Sequence, residues 1–190
     1  MVAEAGADAL GFVFVPDSPR YIDPREAEEI RRYLPPFLSV VGVFANARLE
    51  EVRRVAEACH LSAIQLHGGE SPAYCSSLEK RVIKAFRIKD EESLEKMGHY
   101  SVEAFLLDAY TPGRLGGTGK TFDWRLAEEA KRYGRLILSG GLTPDNVEEA
   151  ICAVRPYAVD VSSGVEERTG KKEKGKVRRF LEEVARAESH

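Results

Sequence analysis

Seven short apolar runs punctuate the chain, at residues 9–15 (ALGFVFV), 38–44 (LSVVGVF), 62–66 (SAIQL), 82–86 (VIKAF), 103–107 (EAFLL), 135–138 (RLIL) and 157–161 (YAVDV). Each is shorter than a typical buried helix and rich in aliphatic, β-branched or aromatic residues, which predicts strands covered on both faces. The stretches between them are polar, with helical spacing and start signals. Asp23-Pro24-Arg25-Glu26 supplies an N-cap aspartate, a proline at the first helical position and a glutamate at the third, ahead of AEEIRRYL. Asn46, Ser71, Asp90, Asp123 and Thr143 are placed to cap the helices that follow, with Pro72 and Pro144 again opening them. Strands alternating with helices every roughly twenty to thirty residues predict βα units around a parallel sheet. No linker or low-complexity tract interrupts the series, so residues 1–190 are expected to form one α/β domain.

Seven strands are one fewer than a closed (β/α)8 TIM barrel needs. Met1 to Ala5 followed by Gly6 reads as the last turn of a helix with a glycine at its C-terminal cap. A single turn is not stable alone. The expectation is a TIM barrel with about seven βα units, its first strand and most of its first helix missing from this sequence.

Composition narrows the partners. With 190 residues and 43% hydrophobic content the chain can bury a sizeable core. A net charge of -3 gives no basic footprint for nucleic acid or an anionic membrane, so a small molecule is the expected partner. The apolar runs are far short of a membrane span, and no basic region precedes an apolar one at the N-terminus, which points to the cytoplasm. Cys59, Cys75 and Cys152 show no Cys-x-x-Cys spacing and fall in helix-like segments. They are expected to be buried free thiols, with no disulfide and no zinc site. The basic stretch from Arg168 to Arg179 reads as a solvated face leading into a last amphipathic helix.

Two segments near the C-terminus carry the candidate chemistry: Leu138-Ser139-Gly140-Gly141-Leu142-Thr143-Pro144-Asp145 and Val159-Asp160-Val161-Ser162-Ser163-Gly164-Val165. Each follows a strand with a Ser/Gly turn whose small side chains let backbone N–H groups face an anion. Loops after the last two strands of a βα barrel often hold a substrate phosphate. Gly140, Gly141, Ser162, Ser163 and Gly164 are therefore the candidate phosphate-binding residues. Either turn alone reads equally as an ordinary tight turn; two at successive strand ends favour a shared site. A third glycine-rich stretch, Gly113 to Thr121, looks like a nucleotide P-loop, but Arg114 stands where that pattern needs its first glycine. Following the strand that ends at Asp108, it reads as a mobile cover that closes on substrate.

Further motifs join these two. Gly6-Ala7-Asp8-Ala9-Leu10-Gly11-Phe12-Val13-Phe14, Ser18-Pro19-Arg20-Tyr21-Ile22, Val41-Gly42-Val43-Phe44, Gln65-Leu66-His67-Gly68, Leu106-Leu107-Asp108, Gly116-Gly117-Thr118-Gly119-Lys120-Thr121-Phe122-Asp123-Trp124, Leu138-Ser139-Gly140-Gly141-Leu142 and Asp160-Val161-Ser162-Ser163-Gly164-Val165-Glu166 run in order along the chain. Together they resemble the phosphoribosylanthranilate isomerases of tryptophan biosynthesis, over essentially the whole length. The resemblance implies a TIM barrel with no metal and no cofactor, acting on phosphoribosylanthranilate as monomer or homodimer. The implied reaction is an Amadori rearrangement of N-(5-phosphoribosyl)anthranilate to 1-(2-carboxyphenylamino)-1-deoxyribulose 5-phosphate. Indole-glycerol-phosphate synthase fits less well, given the glycine cover loop and the contexts of Asp108 and Arg20.

Such a reaction needs a general acid at the furanose ring oxygen and a general base at C2. Asp108 ends the strand EAFLLD, and partial burial there would favour a protonated carboxyl; by resemblance it is the general acid, although a strand-end aspartate can simply cap a turn. Arg20 has the planar fork that suits the anthranilate carboxylate. Asp160, inside YAVDV, is an acid where a parallel strand is normally apolar, so it is expected to face the barrel mouth and accept from the bridging amine. His67, after SAIQL, is a further candidate binding residue at the mouth.

The chain departs from the family at the base. The family's cysteine lies in a Lys-Ile-Cys-Gly segment on the first strand, and Cys59, Cys75 and Cys152 stand in unrelated contexts. A non-catalytic barrel remnant that binds sugar phosphates is the alternative reading. We expect little or no isomerase turnover from the 190-residue chain alone, and recovery by about two to four orders of magnitude when a strand and most of a helix, about sixteen to twenty family-like residues, precede Met1. Following the loss of phosphoribosylanthranilate in the two forms checks this; substantial turnover by the short form refutes the cysteine argument.

Overall fold

The computed structural model describes residues 1–87, 90–108 and 124–188. The glycine-rich stretch Gly113 to Thr121 and the Asp123 cap lie outside these residues. The chain separates into two compact units, one formed by Met1–Ala85 with Ser101–Glu103 and the other by Phe86–Tyr100 with Ala104–His190.

In the first unit a 3₁₀ turn, Ala3–Ala5, ends at Gly6 in the left-handed conformation, as the opening residues predict. Then come β1 (Ala9–Val13), α1 (Pro24–Arg31), β2 (Ser39–Phe44), α2 (Leu49–Ala58), β3 (Ala63–Leu66), α3 (Pro72–Ser76) and β4 (Arg81–Phe86). The strands pair in parallel in chain order, Val13 opposite Val43, Phe44 opposite Leu66 and Leu66 opposite Lys84. Asp23 caps α1 by accepting from the Arg25 N–H at 2.8 Å, with Pro24 at the first position. Ser71 caps α3 in the same way. Helix α2 buries Val52, Val55 and Ala56 on one stripe, worth about 1.5–3 kcal/mol for each large side chain covered. Its N-terminus corrects one expectation. Arg48 precedes it without a side-chain cap, and Asn46 instead adopts a left-handed conformation (φ 53°) with its amide oxygen accepting from the Gly69 N–H at 2.7 Å.

The second unit contains α4 (Glu91–Glu95), β5 (Ala104–Asp108), α5 (Trp124–Ala130), β6 (Leu136–Ser139), α6 (Val147–Val154), β7 (Ala158–Val159), β8 (Glu166–Arg168), β9 (Lys171–Lys172) and α7 (Lys174–Glu188). Asp90 caps α4 through the Ser93 N–H. Strands β5, β6 and β7 are parallel, with Leu107 opposite Leu138 and Leu138 opposite Val159. Phe105, Leu106, Leu107, Leu136 and Leu138 are fully buried, as expected of a sheet covered on both faces. All seven predicted parallel strands are present. The basic segment after Arg168 is less regular than expected: Glu166–Arg168 and Lys171–Lys172 pair as a small antiparallel hairpin before α7 begins. Cys59 and Cys75 are buried, whereas Cys152 is exposed on α6, because that helix packs through Val147, Ala150 and Val154 instead. Among the described residues no helix is long and apolar enough to cross a membrane.

One buried charge network fixes the strand ends of the first unit. Lys84 Nζ lies 3.0 Å from Glu70 Oε2, with the two side chains only 3% and 2% exposed. The ammonium also donates to the carbonyls of Gly68 (2.8 Å) and Leu66 (3.2 Å), while Glu70 Oε1 accepts from the Asn46 N–H at 2.7 Å. The residues that follow β2 and β3 are thereby tied to β4. Removing the ammonium takes a buried ion-pair partner away from the Glu70 carboxylate, so Lys84→Met is expected to cost about 3–5 kcal/mol in urea unfolding. The exposed control Lys80→Met should stay within about 0.5 kcal/mol.

Candidate active site

Parallel strands bring their C-terminal ends to one edge of each unit, and every predicted site residue lies there. In the second unit Asp108 ends β5 in register with Ser139 at the end of β6. Its side chain is partly buried, with Arg87 Nε 3.9 Å from Oδ2. Beyond Ser139 the chain turns through Gly140 (φ 81°) and Gly141 (φ 71°), a left-handed pair that side chains with a Cβ adopt only under strain. Asn146 spans this turn, donating from Nδ2 to the Gly141 carbonyl (3.0 Å) and accepting at Oδ1 from the Thr143 N–H (2.8 Å). Asn146, not Thr143, holds the position before α6. The Thr143 hydroxyl accepts from the Asp145 N–H inside the turn instead, and Pro144 lies ahead of the helix.

Strand β7 is shorter than its apolar run. It ends at Val159, which places Asp160 one residue past the strand and not inside it. The Asp160 N–H still reaches the Leu138 carbonyl (2.8 Å), and Oδ2 accepts from the Ser139 hydroxyl (3.0 Å). That side-chain bond accounts for an acid beside two apolar strands: it is half-buried and partnered at the edge. The chain then runs through the exposed Ser162 and Ser163 to Gly164. A Cβ on Gly164 would fall 1.8 Å from the Leu142 carbonyl oxygen. The two Ser/Gly turns are thus in backbone contact.

In the first unit Arg20 is half-buried in the loop after β1. Its N–H donates to Ser18 Oγ (3.2 Å), and the loop folds back onto the strand through the Ile22 N–H and the Val13 carbonyl (3.0 Å). His67 follows β3 with an exposed ring. Its Nε2 lies 2.6 Å from the amide Nε2 of buried Gln65, and its backbone N–H donates to the Phe44 carbonyl (2.8 Å). An amide N–H donating to Nε2 leaves the ring proton on Nδ1, so the ring's orientation is set from within the strand.

All three cysteines lie on helices: Cys59 at the end of α2, Cys75 in α3 and Cys152 in α6. Burial pushes the Cys59 thiol up, helped by the carboxylates of Glu28 and Asp23. Burial likewise raises Cys75, against the opposing pull of Lys84. Both are therefore held away from the thiolate form that proton abstraction needs.

Three groups around these sites escape a local reading of the sequence. Asn146 and Lys172 hold the two turns, and the Lys84–Glu70 pair holds the loop that carries His67. Side-chain amides were one available signal. Asn46, Gln65 and Asn146 are the only three in the chain, and each makes a hydrogen bond beside a strand end of the candidate site.

A family model for N-(5'phosphoribosyl)anthranilate (PRA) isomerase matches residues 1–183. The N-(5'-phosphoribosyl)anthranilate isomerase of Geobacter sp. (strain M21) is 57% identical over 184 residues, 97% of this chain and 90% of the relative. Among solved structures, the phosphoribosyl anthranilate isomerase of Thermotoga maritima superposes with a TM-score of 0.90 at 46% identity, covering 97% of this chain and 91% of its own. A phosphoribosyl anthranilate isomerase in complex with reduced 1-(o-carboxyphenylamino)-1-deoxyribulose 5-phosphate superposes with a TM-score of 0.87 at 42% identity, covering 97% and 90%.

Proposed function

The chain belongs to the N-(5'-phosphoribosyl)anthranilate isomerase family, and from that premise we propose that Asp108 is its general acid and that the two Ser/Gly turns hold the substrate's ribose phosphate. The observation that carries this reading is a register. Asp108 stands opposite Ser139, the residue before the Gly140–Gly141 turn, so a proton donor and an anion-binding turn lie at neighbouring strand ends.

In the reaction the acid gives its proton to the furanose ring oxygen. The C1–oxygen bond breaks and the nitrogen lone pair forms an iminium. A base then takes the C2 proton, leaving an enolamine that tautomerises to the ketose. Backbone N–H groups of Gly140, Gly141 and Gly164 and the hydroxyls of Ser162 and Ser163 suit the phosphate, which is anionic throughout and so serves as an anchor. Asp160 accepts the bridging amine's N–H, its carboxylate held at the strand end by the Ser139 hydroxyl. Arg20 pairs with the anthranilate carboxylate through its two-pronged fork, and His67 lines the binding face. Cys59 and Cys75, on helices and with raised thiols, are not the base that this scheme requires, and Cys152 also lies on a helix.

The setting that fits this reading is cytoplasmic, and its assembly a monomer or a homodimer. Support for the dimer comes from Tyr33 and Phe37, 89% and 98% exposed on the connection between α1 and β2, which are apolar surface for a second copy to cover.

Asp108→Asn keeps the size of the side chain and removes the transferable proton. Made in the chain extended by the family-like residues ahead of Met1, it is expected to lower turnover by about two to four orders of magnitude while leaving affinity for the reduced product analogue within about threefold. Turnover equal to that of the unsubstituted extended chain rules Asp108 out as the acid.

A further inference from the structure

We propose that Lys172 is a positioning residue of the phosphate site, acting through Ser162 to aim the backbone of the 162–164 turn. The inference rests on the phosphate reading above and deepens it.

Lys172 comes from the β8–β9 hairpin, outside both Ser/Gly turns. Its Nζ donates to the Ser162 carbonyl (2.8 Å), the Ser162 hydroxyl (3.2 Å) and Glu166 Oε1 (3.1 Å). An ammonium has three protons, and these acceptors match them one for one. Glu166 is buried, and its Oε1 also accepts from the Gly170 N–H (3.3 Å) across the hairpin. Lys176 Nζ donates to the Glu166 carbonyl (2.8 Å), which ties the same strand to the start of α7. The hairpin is therefore a fixed base from which Lys172 reaches the carbonyl and hydroxyl of Ser162.

A planar trans peptide sends its C=O and the following N–H in opposite directions. Drawing the Ser162 carbonyl towards Lys172 consequently turns the Ser163 N–H away from the hairpin. A flipped peptide would present that carbonyl to the anion in place of a donor. Lys172 opposes the flip with a charge-assisted hydrogen bond. The neighbouring Glu166 carboxylate offsets its charge, so Lys172 acts on the turn's geometry more than on the long-range field.

The test is a calorimetric titration of the 190-residue chain, Lys172→Met and Lys172→Arg with inorganic phosphate, and separately with anthranilate, which carries no phosphate. Lys172→Met is expected to weaken phosphate binding about tenfold while leaving anthranilate binding unchanged, with part of the loss recovered in Lys172→Arg. The tenfold ratio should persist in about 0.5 M salt, where a purely long-range charge effect is screened. Equal phosphate affinity in Lys172→Met and the unsubstituted chain overturns the inference; so does a parallel loss of anthranilate binding, or a ratio that vanishes with salt. If Lys172→Met yields no folded protein, Lys172→Gln, with a shorter polar head, is held to the same criteria. Absence of phosphate binding by the unsubstituted chain is a different failure, which removes the phosphate reading itself.

Discussion

The carbonyl oxygen of Leu142 occupies the place where residue 164 would carry a side chain, and only glycine lets the two turns meet there. Most of the candidate phosphate site depends on that contact. β6 and β7 share only two residue pairs, so the strands alone give the second turn little support. Backbone contact at Gly164 replaces the missing ladder and sets the turn after β7 against the turn after β6. Gly140 and Gly141 shape the first turn through left-handed backbone, and Asn146 closes it from the helix side. Anion binding by backbone N–H groups needs this kind of fixed framework, since a turn free to reorient presents carbonyls as readily as donors.

The first unit secures its strand ends differently. Lys84 and Glu70 are nearly sealed from solvent and spend their hydrogen-bonding capacity on each other and on the loop backbone after β2 and β3. A pair of this kind adds little net stability compared with apolar side chains of the same shape. What it adds here is position: Asn46 is kept in a left-handed conformation, Gly68 packs against it, and the chain leaves β3 through His67 along one path. Both units thus hold the loops that carry candidate site residues with polar side chains from outside those loops or at their ends.

The strands were legible because burial on both faces leaves unbroken apolar runs, and Asp108 was legible because a single carboxylate ends one of them. Asp23, Ser71 and Asp90 were equally plain, since a cap and its helix are neighbours in sequence. Asn46 and Thr143 show the same residue types put to other uses: Asn46 bonds to Gly69, 23 positions away, and Thr143 stays within its own turn. Local pattern contains nothing about a partner that distant. The β8–β9 hairpin was hidden for a related reason, because its strands are two and three residues long and charged, held by Lys172 and Glu166 instead of by an apolar face. Asp160 reads from the sequence as lying inside a strand but sits one residue past it, because the apolar run continues beyond the point where β7 stops pairing.

We propose that a sugar phosphate is held where the two turns meet, with Asp108 at the neighbouring strand end. A crystal structure of this chain with reduced 1-(o-carboxyphenylamino)-1-deoxyribulose 5-phosphate tests it most directly. The phosphate is expected against the backbone N–H groups of residues 140–141 and 163–164, with the sugar running towards Asp108. A phosphate bound elsewhere on the molecule, or a sugar pointing away from Asp108, contradicts it.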